Sequence, residues 1–200
     1  MIPQRLTVKY FIQDPAAVNL KEFVPIFHRW IQNQTVEGLL IDVADYKHIQ
    51  DGPGIILVGD QVDYAIDIGD GRPGLLYRAK RRAQSRKPLR SLLEESMLLA
   101  LRACRALELE PSLQGRIAFR TDEAAIGFPD RLRIPNNRNS AAELEADIQA
   151  VLESIYAGIE VKIQPASGDA RQFFPVKVYA PGAPDVKQLL ERFETSAAIL

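Results

Sequence analysis

Few side chains in this 200-residue chain could do chemistry by themselves, and the densest set of them lies before residue 61. The segment His48-Ile49-Gln50-Asp51-Gly52-Pro53-Gly54 places an imidazole and a carboxylate in a Gly/Pro-rich loop, where a base and an acid could act on one substrate. Gly52 and Gly54 would let backbone amides approach an anion. Asp60 follows one strand's length later and joins His48 and Asp51 as a candidate catalytic residue. With aspartates from adjacent strands the same groups could hold a hard divalent cation, since carboxylate oxygens suit such ions. The competing reading is that Gly-Pro-Gly is a tight turn and that the aspartates are turn and strand-end residues on a solvated sheet.

The spacing limits the metal reading. Asp63 and Asp67 would project from one strand face about 13 Å apart at 3.3 Å per residue, too far to share an ion. Neither the calcium-loop pattern nor the helical zinc-protease pattern occurs. No metal site is therefore assigned, and no cofactor is expected, because the phosphate-loop and dinucleotide fingerprints are also missing. No serine sits in a nucleophile elbow. The single cysteine, Cys104, lies in an apolar helical run and reads as packing.

A second candidate site is the run from Arg131 to Asn139. Arg131 and Arg133 offer guanidinium donors, and Asn136 and Asn137 offer side-chain amides, a composition able to bind a carboxylate or phosphate. Asn and Pro also favour turns for local backbone reasons, so a capped loop explains the same residues.

Charge is segregated along the chain. Glu37, Asp42, Asp45, Asp51, Asp60, Asp63, Asp67 and Asp70 face only Lys47, a net of −7 over residues 37–70. Arg72, Arg78, Lys80, Arg81, Arg82, Arg86, Lys87 and Arg90 follow with no acid, a net of +8 over 72–90. The formal total is −1, which gives no global attraction to nucleic acid or to anionic lipid. The basic run lacks interleaved aromatics other than Tyr77, which argues against a single-strand binder. The two blocks could instead pair with each other, within one chain or across an interface.

The elements that must position these groups follow from hydrophobic period and turn residues. Leu6–Ile12 alternates as a strand. Behind Asn19, with Glu22 placed for a capping box, Leu20, Phe23, Val24, Phe27, Trp30 and Ile31 recur at helical spacing through Pro25. His28 lies at the edge of that stripe and is expected to be partly buried. Short apolar runs at Leu39–Val43, Ile55–Val58, Tyr64–Ile68 and Gly74–Arg78 predict an antiparallel meander. Gly69-Asp70-Gly71-Arg72-Pro73-Gly74 should supply the positive-φ positions of its last hairpin. Pro88 opens a long helix whose Leu92, Leu93, Met97, Leu98, Leu99, Leu101, Cys104 and Leu107 leave only a polar wedge of Glu94, Glu95, Arg102 and Arg105. It should be central, in the core or in a dimer interface.

Beyond it, 115–120 and 124–128 are expected to pair around Thr121-Asp122-Glu123, and Ser140 to cap a third helix. Strands at Ile159–Ile163 and Phe173–Tyr179 should flank a Ser167-Gly168-Asp169 turn, with a last helix from Pro184 or Asp185. Strands that cluster rather than alternate with helices indicate an α+β fold, with a mostly antiparallel sheet of about six to eight strands packed against four helices. A single domain over 1–200 is expected, with a two-part organisation dividing near residue 85 as the alternative.

One cysteine, no secretory leader and no 20-residue apolar stretch predict a cytoplasmic protein with no membrane partner. The functional expectation is a non-enzymatic protein acting through homo-oligomeric assembly or protein–protein contact. The alternative is a small-molecule- or divalent-metal-binding domain, or a small enzyme, built on the His48/Asp51 loop and neighbouring strand aspartates.

Overall fold

The computed structural model describes residues 3, 5–80, 88–165 and 173–197. Its strands are β1 (Leu6–Ile12), β2 (Leu40–Tyr46), β3 (Gly54–Gly59), β4 (Val62–Asp67), β5 (Gly74–Ala79), β6 (Phe119–Phe128), β7 (Lys162–Pro165) and β8 (Phe174–Tyr179). The helices are α1 (Leu20–Asn33), α2 (Leu89–Glu108), α3 (Arg138–Ile155) and α4 (Val186–Ala197). All pairings are antiparallel, in one eight-stranded sheet of order β2-β3-β4-β5-β1-β6-β8-β7. The fold is α+β.

β1 is the seam of the molecule. The meander β2 to β5 returns to pair with one side of it, and β6 pairs with the other, so every residue of β1 is buried. The division near residue 85 falls in 81–87, outside the described residues, while one apolar cluster runs through both halves.

Alternation assigns the two sheet faces. Leu6, Val8, Tyr10 and Ile12 point to the helical layer, as do Leu57, Tyr64, Tyr77 and Ile126, which the strand register brings alongside. Tyr64 and Tyr77 meet edge to face at 5.4 Å. α2 packs on β1 and β5 and is flanked by α3 and α4, while α1 covers β2 and β3. The apolar surface of α2 is thereby consumed inside one chain. Phe23, Ile26, Phe27 and Trp30 carry the buried stripe of α1, each contributing about 2–3 kcal/mol by leaving water. His28 points away from that stripe and is exposed, not partly buried.

The opposite face is laced with ion pairs within the chain, and those at Asp63 join the two charge blocks. Lys80 Nζ lies 2.7 Å and Arg78 Nη1 3.9 Å from Asp63, and Lys9 Nζ lies 2.5 Å from Asp67. Arg72 grips Glu123 through two 2.7 Å hydrogen bonds and lies over the Phe11 ring, 3.8 Å from its centroid.

Three local expectations are corrected. The hairpin around Thr121-Asp122-Glu123 is one continuous strand, β6. Its polar residues are held extended by partners within and beyond the strand: Thr121 Oγ1 donates to Pro184 O, the Asp122 carboxylate accepts the fork of Arg120 on the same strand while its backbone O accepts the Ala180 N–H, and Glu123 takes Arg72. α3 is capped by Asn137, whose Oδ1 accepts the Ser140 N–H. In α1, Asn19 accepts from Lys21 N, while Glu22 turns outward to Arg116 rather than back to the cap. The hairpin loop between β4 and β5 has its positive φ values at Asp70 and Gly71. The Ser167-Gly168-Asp169 turn lies outside the described residues.

Candidate functional site

The loop holding His48 and Asp51 is the turn from β2 to β3, and hydrogen bonds within it and with the end of β2 hold its backbone. Ile49 N–H donates to Tyr46 O and Gly52 N–H to Ile49 O. Asp45 accepts from the Lys47 N–H and ion-pairs with Lys47 Nζ. Those Lys47 hydrogen bonds hold the Asp45 carboxyl below its ordinary range. Asp51 sits at φ 52° and Gly54 at φ +65°, where an added Cβ would come within 2.1 Å of Ile66 O. The loop glycine is thus required by a close backbone approach.

Asp60 occupies the other end of β3, about 20 Å away over six residues at 3.3 Å each. The fold does not bring His48 and Asp51 together with Asp60. Asp63 and Asp67 are each neutralised by cations of the same chain, and among the described residues no three His, Cys, Asp or Glu side chains are grouped to hold a metal ion.

The loop before α3 is equally committed to structure. Asn137 caps the helix, Asn136 is buried, and Arg133 lies 3.5 Å from Asp130. Arg131 and Arg133 are exposed on its outer side. Cys104 is fully buried, and burial drives its thiol pKa up, so it packs rather than reacts.

A cleft and an edge strand supply what these loops do not. The cleft opens between the α1–β2 connection, the β3–β4 turn and α2. Its larger lobe, about 530 Å³, is lined by Glu37, Leu39, Asp60, Glu95, Leu98 and Arg102 among others. A smaller lobe of about 330 Å³, reaching Thr35, Val36 and Tyr64, shares Glu37, Gly38, Leu99 and Arg102 with it. Gly38 has φ +113°, and a Cβ there would meet Val62 Cγ2 at 2.7 Å, so only glycine lets the chain turn into β2 at this point. Tyr64 Oη donates to Glu37 O at 2.9 Å, and burial raises its pKa, keeping the phenol a neutral donor. Glu37 and Asp60 make no ion pair among the described residues.

From Leu39 the cleft runs onto β2, which ends the sheet. Of the seven large apolar side chains exposed among the described residues, four belong to this stretch: Leu39 (71%), Ile41 (59%), Tyr46 (39%) and Ile49 (41%). The β2–β3 register slips between Leu40 and Asp42, a bulge that turns Ile41 outward. Of the sequence candidates Asp60 lines the cleft, and sequence reasoning did not anticipate this surface. The available signal was Leu39-Leu40-Ile41, three consecutive apolar residues that a strand of period two cannot all turn toward one core.

Among protein-family models, curated proteins and solved structures, none matches this chain.

Proposed function

We propose that this protein is a non-enzymatic interaction domain that captures an extended segment of another polypeptide along β2, adding a ninth strand to its sheet. The observation that carries the reading is the apolar group Leu39, Ile41, Tyr46 and Ile49 on and beside a seven-residue edge strand with no neighbour on its outer side among the described residues. An unpaired edge offers a row of N–H and C=O groups, and flanking side chains give an added strand its specificity. The cleft beginning at Leu39 would receive side chains from one end of the captured segment.

Self-assembly gains less support than it had from sequence. The long apolar helix is buried within its own chain, and Asp63 pairs with Arg78 and Lys80 of the same chain. The helix argument is thus largely met internally, and the charge argument is met at Asp63. Removing the edge tests the reading. In isothermal titration, a segment that binds the native chain should lose at least about tenfold in affinity against Ile41→Lys, because the change removes an exposed apolar contact of β2 and puts lysine, a usual edge-blocking residue, in its place. Equal affinity for both proteins would defeat it.

A further inference from the structure

Resting on that reading, we infer that the captured segment is basic: an extended stretch of another protein in which lysine or arginine is interspersed with apolar residues. The argument is charge complementarity along one edge. Glu37, Asp42, Asp45, Asp51 and Asp60 are all exposed on β2, its flanking turns and the adjoining cleft. Lys47 is the sole lysine or arginine between residues 37 and 60, and it is engaged by Asp45. The register places Asp42 beside Val58, on the sheet face away from the helices, with Ala44 beside Ile56 one step along. Asp45, beside Ile55, lies on the other face, so a strand laid against β2 would meet one carboxylate on each face, each with apolar neighbours. Cross-strand pairs of opposite charge are favourable and like charges are not.

The same charges select against the other occupants. A second copy pairing β2 with β2 would set two acidic edges side by side, with an Asp42 that makes no ion pair among the described residues contributed from each and Asp45 already paired with Lys47. An acidic segment meets the same repulsion. Asp42 Oδ1 also accepts the Val43 N–H at 2.7 Å, and Asp45 Oδ1 accepts the Lys47 N–H at 3.0 Å. Both carboxylates are thus held at the strand by the backbone itself rather than left to swing away.

The test is selection of a random twelve-residue peptide display library on the full-length protein. Synthetic copies of the enriched peptides are then titrated, and hydrogen exchange locates them on the protein. The expected winners carry net positive charge, slow exchange of the 40–46 amides, and weaken by about tenfold between low and high salt as the pairs are screened. They should also weaken at least about tenfold against Asp42→Lys/Glu37→Lys, and less against Asp42→Asn. The milder variant keeps the test readable if the reversal unfolds the protein.

Winners that protect β2 yet are neutral or acidic would overturn the basic partner and leave strand capture standing. Winners that protect another surface, or no winners at all, would overturn both. A dimer at micromolar concentration with its own β2 amides protected would replace the foreign segment by a second copy, and would also overturn the inference.

Discussion

The two edges of the sheet are finished differently. β7 is four residues long, includes Lys162, ends at Pro165, and has only Ile163 partly covered between exposed polar neighbours. Shortness, lysine and proline are the usual devices that keep an edge from recruiting another strand. β2 is seven residues long, contains no proline or lysine, and exposes Ile41 and Tyr46 with Leu39 and Ile49 at its ends. Its bulge and its aspartates restrain indiscriminate pairing without closing the edge. One chain thus blunts one edge and leaves the other apolar, acidic and long, which is the pattern expected if only one edge meets a partner.

The comparison can be broken most forcefully at the turns that present each edge. Gly54 pairs with Tyr46 at the end of β2, and alanine there would force both a positive φ and a 2.1 Å approach to Ile66 O. Gly54→Ala should cost about 3 kcal/mol or more in urea unfolding. Gly158, just before β7, has φ +81° but open space around it, so Gly158→Ala should cost only about 1 kcal/mol. Equal costs would mean that the close approach at Gly54 does not hold the turn that presents β2.

Binding separates the edges next. Ile41→Lys should weaken a captured segment by at least about 1.4 kcal/mol, a factor of ten, whereas Gln164→Lys on β7 should leave titration curves unchanged.

A smaller effect concerns the ion pairs on the sheet face between those edges. Hydrogen bonding from Arg72 holds the Glu123 carboxyl below its ordinary range, and Arg120 does the same for Asp122. A depressed folded-state pKa adds stability above the unfolded value, near 4, that is lost as pH falls through the folded value. Glu123→Gln should therefore lower stability at neutral pH by about 1 kcal/mol, after discounting for the solvent that reaches Arg72, and flatten the decline below about pH 4 in thermal melts. Smallest of all, Leu132 is 98% exposed outside either edge, and Leu132→Ser should change neither stability beyond about 0.5 kcal/mol nor peptide affinity.

Periodicity carried most of the architecture. The four helices, the β2 to β5 meander and the hairpin glycines are local patterns, and burial follows them. The misreadings occurred where particular hydrogen bonds, some distant and some local, overrode composition. Thr121-Asp122-Glu123 has turn-like chemistry, yet Arg72, Arg120 and Pro184 O draw it straight. Ser140 is a good cap, but Asn137 reaches the helix first. At the candidate site, single residues were legible and their juxtaposition was not: His48 and Asp60 are close in sequence but lie at opposite ends of β3. That β2 would be an edge follows from β5 returning to β1, a long-range pairing that no local pattern encodes.

Hydrogen exchange of both edges in one sample, with and without a selected basic peptide, tests strand capture most directly. The account predicts slowed exchange across 40–46 and no change across 162–165. Protection confined to 162–165, or to the helical layer, would contradict it.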